Sequence, residues 1–332
     1  MHNLTIIRDG KPRRLVGGSC CTIGNFDGVH QGHQRILQAI TAAAAERNLS
    51  HRVVVTFFPH PLVVLGRVPS VRYLSTFHQR FALFERSGMT AVRLVRFTLD
   101  VAAMGAEEFF EKILIQQLDC RHLVLGPDTA LGKDREGTIE RLQEIAHRHS
   151  CTSEVVPCMM HAGAKISSRV IRDLVTEGAV EAAARLLGRP YSVESRVVKG
   201  DQRGRQLGFP TMNLMLSGRV PPRFGVYACV VTVGDDCYQA VANMGVRPTF
   251  GGSSPVLEAH LLGVTGVDLY RRRVEVHFIA RLRDEMAFSG IDGLKQQIAH
   301  DCRAAIDCLS SGEGARWMAH ISARENKSIA GR

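Results

Sequence analysis

The sequence predicts an α/β protein: an N-terminal domain built on a parallel sheet over residues 1–187, then a small antiparallel β-barrel over 188–310 that ends in a helix. Three observations carry this expectation. From residue 20 to about 187, short β-branched runs alternate with helical patterns, which makes βαβ units and a parallel sheet covered on both faces. After Leu187-Gly188-Arg189-Pro190 the strands become short and are separated by Gly, Pro and Asp turns, as in a small barrel. The final apolar pattern, Ile291 to Leu309, returns to a 3.6-residue period.

Taken in order, Thr22-Ile23 closes a strand and Gln34 to Arg47 reads as a helix. Arg52 to Phe57 is a buried strand, and His78 to Ser87 a helix stopped by Gly88 just past its end. Ala91 to Arg96 is a strand, Ala106 to Leu118 a helix, and His122 to Leu125 a strand. Ligands of such sheets bind at the carboxyl ends of the strands. In the second domain Val226 to Val233, Cys237 to Ala242 and Val256 to Leu262 are strands. The stripe Leu294, Ile298, Cys302, Ala305, Ile306 and Leu309 should face the barrel. Residues 311–332 are expected to fray.

The 332 residues suit two domains, each able to bury a core. A hydrophobic content of 45% excludes a disordered chain. Lys+Arg 42 against Asp+Glu 32 leaves +10, which favours polyanions such as nucleic acid, anionic lipid or nucleotide phosphates without choosing among them. The basic residues are dispersed (Arg13-Arg14, Arg203 to Arg205, Arg271-Arg272-Arg273) and read as solvated surface. The nine cysteines are odd in number and lack CxxC spacing, so neither a zinc site nor a disulfide framework is expected. The N-terminus lacks the apolar stretch of a signal peptide, and no run approaches the ~18 apolar residues of a membrane span. A soluble, cytoplasmic protein without membrane contact is expected.

Four segments carry chemistry. In residues 23 to 37, His30 and His33 are three apart across Gly32, on the same side of the first turn of a helix that starts near Val29. That turn presents unpaired amide N–H groups and the positive end of the helix dipole, which suit an anion. Gly24, Gly28 and Gly32 let a phosphate approach the backbone. In Lys165 to Arg172, Ser168 is a good N-cap and Arg172 lies one turn further on. In Gly200 to Asn213, the glycines and Pro210 form a rigid loop able to wrap phosphates, and Thr211 and Asn213 fall on one side of an extended segment with oxygens suited to Mg²⁺. In Val256 to Leu261, alternation puts Glu258 on one face with Val256 and His260. Spacing and composition alone also allow plain readings: surface histidines, an ordinary helix start, a glycine-rich turn and a solvated carboxylate.

The string GNFDGVHxGH at 24–33 resembles the nucleotidyltransferase motif of bacterial bifunctional riboflavin kinase/FAD synthetases. GRxLGFPTxN at 204–213 closely resembles the riboflavin kinase motif of the same family. The resemblance implies a Rossmann-like nucleotidyltransferase domain in which His30 and His33 contact phosphates, with Asn25, Asp27, Gly28 and Gly32 in the same motif and Asp27 leaning toward a turn-orienting role. Residues 166–172 look like the family's ISSTxIR motif, so Ser167, Ser168 and Arg172 carry over as ATP-phosphate contacts, while Arg169 replaces the threonine. In Leu125 to Lys133, Gly126, Asp128 and Gly132 match a loop whose two phenylalanines are Thr129 and Leu131 here. Phe58-Pro59-His60-Pro61 keeps Pro-His-Pro but has Phe58 where an acid is usual.

On the kinase side the resemblance makes Glu258 the general base, Gly204, Gly208, Pro210 and Thr211 the phosphate loop, and Thr211 with Asn213 the Mg²⁺ ligands. Gly225-Val226-Tyr227, Asn243 with Gly245, Arg247 to Phe250, and Arg283 with Glu285 and Phe288 match as well. Arg271 replaces a glycine after Asp268-Leu269-Tyr270. The implied activity turns riboflavin and ATP into FMN, then FMN and ATP into FAD with release of pyrophosphate. The missing phenylalanines leave room for a riboflavin kinase with a degenerate N-terminal domain. A basic nucleic-acid-binding regulator is the alternative from another class, and it leaves Thr211, Asn213 and Glu258 unexplained.

Overall fold

The computed structural model describes residues 4–10, 14–200, 204, 207–249, 252–264 and 266–329. Arg13, Asp201 to Arg203, Arg205, Gln206, Phe250 and the side chains of Arg247 to Thr249, all named above, lie outside the described residues. The chain divides into two compact units, one of His2–Val71 and Thr76–Ser167, the other of Arg72–Ser75 and Ser168–Arg332. The helices over 168–187 group with the barrel, against which they pack. Arg223 N donates to Val175 O at 3.2 Å, and Arg281 N to Glu181 Oε1 at 3.2 Å.

In the first unit, β1 (Thr5–Arg8), β2 (Ser19–Ile23), β3 (His51–Phe58), β4 (Ala91–Arg96), β5 (Cys120–Leu125) and β6 (Thr152–Val155) form a parallel sheet in the order β1-β4-β3-β2-β5-β6. Helices α1 (Gln31–Glu46), α2 (Pro61–Val64), α3 (Phe77–Arg86), α4 (Leu99–Ala103), α5 (Ala106–Phe109) and α6 (Ile139–Arg148) connect them, and β7 (Met160–His161) with β8 (Ala164–Lys165) makes a hairpin. Alternation along β3 assigns the two faces: Val53 and Val55 join one core with Phe110 and Leu123, while Val54 joins the other with Leu37, Phe84 and Val124. The order reverses at β2, with β3 on one side and β5 on the other, so the turn leaving β2 lies at a topological switch point.

The helix expected over Ala106 to Leu118 is α-helical only to Phe109 and π-helical over Phe110–Ile115. The wider turn buries Phe109, Phe110, Ile113 and Leu114 together.

The second unit opens with α7 (Ser168–Glu177) and α8 (Val180–Leu187). Strands β9 (Tyr191–Val198), β10 (Thr211–Met215), β11 (Gly225–Val233), β12 (Asp236–Thr249), β13 (Gly252–Leu261) and β14 (Arg273–Arg283) close an antiparallel barrel in the order β10-β13-β12-β11-β14-β9. Inside it Tyr227 meets Phe278 edge-on at 5.2 Å. Outside, α9 (Ile291–Ser310) and α10 (Gly312–Ile329) cover Val226, Ala228, Val230 and Val241 with Ala305, Leu309 and Ile321.

Two expectations are corrected here. The tail does not fray after Ser310: α10 forms because Trp317, Met318 and Ile321 share one face and pack on that patch. Ile306 is not part of the buried stripe but 41% exposed. Its place on the inward side goes to Asp301, which the Arg283 guanidinium grips at 2.9 and 2.6 Å.

Candidate active sites

The turn after β2 is strained and tightly packed. Phe26 and Val29 have φ of 49° and 41°, and a β-branched residue in that region is an outlier that persists only where its surroundings over-determine it. Gln34 Nε2 donates to Val29 O at 2.9 Å, and the buried Arg80 of α3 donates to Asn25 O at 2.9 Å. Asn25 also meets His60 Nε2 at 3.2 Å, which joins the turn to the Pro-His-Pro segment. Asp27 is buried.

His30 is the N-cap of α1, and its Nδ1 accepts from His33 N at 3.3 Å. An accepting Nδ1 puts the proton of the neutral ring on Nε2, which is then a donor for an anion. The two imidazoles are stacked at 3.6 Å and 16°. A Cβ on Gly32 would come within 3.2 Å of the His30 ring, so a side chain there would push it out of place.

The remaining N-terminal candidates are placed differently. The exposed Asp128 receives Lys165 Nζ at 2.5 Å on both oxygens. Thr129 Oγ1 accepts from Gly126 N at 3.0 Å, and Leu131 turns into the hydrophobic core. Ser168 is the first residue of α7 and not its cap, with Ser167 just before it, and Arg172 Nε donates to Arg72 O at 3.2 Å. Both Ser168 and Arg172 belong to the unit that holds the barrel. Phe58 is 47% exposed and packs edge-on against Phe77 at 5.2 Å.

On the barrel, register assembles the second site. Asn213 on β10 pairs directly with Glu258 on β13, and Glu258 pairs directly with Asn243 on β12. Directly opposed residues share a face with Cβ atoms about 5 Å apart. The three side chains therefore stand in a row on the outer surface, on the same side as Val226, which α9 covers further round. Thr211 and His260 form the next row along that face. His260 Nδ1 meets Pro210 O at 2.8 Å, and its ring meets Phe209 edge-on at 5.6 Å, which ties the Gly-Phe-Pro loop to β13.

Close approach explains three glycines. A Cβ on Gly200 would strike the Asn213 amide at 2.3 Å, one on Gly204 would strike Phe209 O at 2.4 Å, and one on Gly245 would strike Glu285 Oε1 at 2.6 Å. Nearby, hydrogen bonding from Arg281 holds the Asp284 carboxyl below its usual range. Burial raises the Tyr227 phenol.

Mg²⁺ fits this face by its chemistry: Thr211 and Asn213 offer hard neutral oxygens and Glu258 a carboxylate beside them. Among the described residues no group of three or more His, Cys, Asp and Glu could hold a metal, so any Mg²⁺ here would depend on ligands such as phosphate. Sequence reasoning missed Arg80, which an inward arginine on a short amphipathic helix does not signal. It saw Asn243 only as a motif match, without its pairing to Glu258.

A FAD synthetase family profile matches residues 14–170, and a riboflavin kinase profile matches residues 187–309. The bifunctional riboflavin kinase/FMN adenylyltransferase of Escherichia coli (strain K12) is 36% identical over 285 residues, which cover 86% of this chain and 90% of that protein. The chain belongs to the bifunctional riboflavin kinase/FMN adenylyltransferase family. The Pseudomonas fluorescens member of this family is 37% identical, with 87% and 92% covered. A solved structure from Streptococcus pneumoniae, described as a macrolide-efflux protein, has a TM-score of 0.82 at 30% identity and covers 91% of this chain and 98% of its own. Among the described residues no helix is long and apolar enough to cross a membrane. The stacked histidines lie within the FAD synthetase match, and the Asn213–Glu258–Asn243 row lies within the riboflavin kinase match.

Proposed function

We propose that this chain phosphorylates riboflavin to FMN on the outer face of the barrel and joins FMN to AMP at the turn after β2, releasing pyrophosphate. The observation that carries the kinase half is the register that sets Glu258 between Asn213 and Asn243. Glu258 takes the proton from the terminal ribityl hydroxyl as that hydroxyl's oxygen attacks the γ-phosphorus, the bond from phosphorus to the β–γ bridging oxygen breaks and ADP leaves. Thr211 and Asn213 would hold Mg²⁺, which neutralises charge on the phosphates when bound. Gly204, Gly208 and Pro210 shape the loop around those phosphates.

In the adenylyl half His30 donates from Nε2 to a phosphate oxygen, and His33 stacks on it and contacts the same group. The protein's work there is positioning and electrostatics, with no covalent intermediate. Asp128 acts through Lys165, because a bare carboxylate repels phosphate. Ser167, Ser168 and Arg172 keep their phosphate role on the motif alone. The nine cysteines are free thiols, which suits a reducing cytoplasm. A second reading, kinase alone, is favoured by one observation: Leu131, at the place of a loop phenylalanine, is turned into the hydrophobic core.

Purified protein with riboflavin, ATP and Mg²⁺, followed by chromatography of the flavins, tests both. FMN with FAD is the expected result, FMN alone selects the second reading, and neither product refutes both. Glu258→Gln should lower FMN formation about 1,000-fold while adenylylation of supplied FMN continues.

A further inference from the structure

Arg271 has no part in either half-reaction above, yet it occupies an unusual place. At the end of the ladder between β9 and β14, Val197 faces two residues instead of one. Val197 N donates to Arg272 O at 3.0 Å, and Arg271 N donates to Val197 O at 3.1 Å. This is a β-bulge whose first residue adopts a left-handed conformation, and Arg271 has φ 62° there. Glycine takes that position without strain, whereas an arginine is strained in it.

Three observations give the side chain a purpose. Its guanidinium lies over the Tyr270 ring at 5.5 Å, which braces it. Arg196 and Arg273 are directly opposed on β9 and β14, a like-charge pair that ordinarily weakens a sheet. Arg273 reaches Glu194 at 3.4 Å, but among the described residues Arg196, Lys199, Arg271 and Arg272, all exposed, have no carboxylate in ion-pair range. The third is position. Val198, beside the bulge, pairs with Asn213, which pairs with Glu258. Two strand spacings, about 10 Å, separate the backbones of Arg271 and Asn213.

We propose that Arg271 is a phosphate-contact residue of the kinase site, binding the nucleoside triphosphate whose transferable end lies at Asn213 and Glu258. A triphosphate laid from Glu258 toward β14 directs its remaining phosphates at this cationic patch. The assignment rests on the kinase reading of the barrel.

The test measures KM for ATP, KM for riboflavin and kcat of FMN formation in the full-length chain with Mg²⁺, for the unaltered protein, Arg271→Gly and Arg271→Lys. Arg271→Gly should keep its Tm, because glycine fits the bulge, and raise KM for ATP about tenfold with kcat and KM for riboflavin little changed. Arg271→Lys should restore most of the loss, because a point charge also binds phosphate. An unchanged KM for ATP in Arg271→Gly overturns the proposal. So does failure of lysine to restore it, which would assign the guanidinium to ring stacking, or an equal rise in KM for ATP during adenylylation of FMN. If the unaltered protein makes no FMN, the kinase reading itself falls.

Discussion

Replacing Gly200 by alanine is the sharpest test of how the kinase face is assembled. The new Cβ would stand 2.3 Å from Asn213 Nδ2, 2.5 Å from its Cγ and 2.6 Å from its Oδ1. Ordinary contact begins near 3.4 Å, so the amide must retreat by about 1 Å. It is the free end of a side chain and can rotate, while alanine restricts the unfolded chain, so stability should change by no more than about 1 kcal/mol. The loss should fall on function. A misplacement of about 1 Å in a group that positions reacting atoms costs about 100-fold, or about 2.7 kcal/mol of barrier. Initial rates of FMN formation from riboflavin, set beside FAD formation from supplied FMN, read this directly. The first should drop about 100-fold and the second should hold, with Asn213→Ala behaving alike. A kinase rate near that of the unaltered protein would refute the placement of Asn213 in the site, and loss of both activities would mean unfolding.

His30→Asn keeps a good N-cap on α1, so Tm should move little, while FAD formation falls about 100-fold and FMN formation continues. Continued FAD synthesis would remove the imidazole pair from the mechanism. The pH dependence of stability should carry the mark of His122. Burial, with help from the Arg47 charge, holds this imidazole below its usual pKa, against a smaller opposing pull from Glu154. The fold therefore favours the neutral ring. Its contribution is complete above about pH 6.5, the value of an unperturbed histidine, and drains away as the pH falls below that toward the folded value. Tm measured at pH 7.5 and 5.5 should differ less in His122→Gln than in the unaltered protein.

What was legible from sequence was local. His30 and His33 do stack, but not as two residues of the first helical turn: α1 begins at Gln31 and not near Val29, and the extended His30 is its N-cap, whose ring accepts from His33 N. Alternation around Glu258 told which residues share its face. It could not say that Asn213 and Asn243 stand beside it, because pairing depends on how distant strands close the barrel. The same distance hid the Lys165–Asp128 pair, which joins residues 37 apart. The burial of Asp301 could not be read from its own helix, because its partner Arg283 lies on another element. The α10 helix was missed because its apolar residues are few, and only the patch on β11 and β12 makes use of them.

The barrel sets the row of Asn213, Glu258 and Asn243 on its skin and fills its inside with Tyr191, Tyr227 and Phe278. Where no helix covers the strands, the proposed reactive row and the inward packing therefore alternate along the same strands, while on β11 and β12 the outward residues also pack, against α9 and α10. Selection for heat tolerance can repack the inward set, or the outward patch that α9 and α10 cover, while leaving the outward row of Asn213, Glu258 and Asn243 alone. A directed-evolution campaign on this domain should accordingly separate its beneficial substitutions by the odd or even place of each residue on β10 and β13, and not on β11 and β12, whose outward residues also pack.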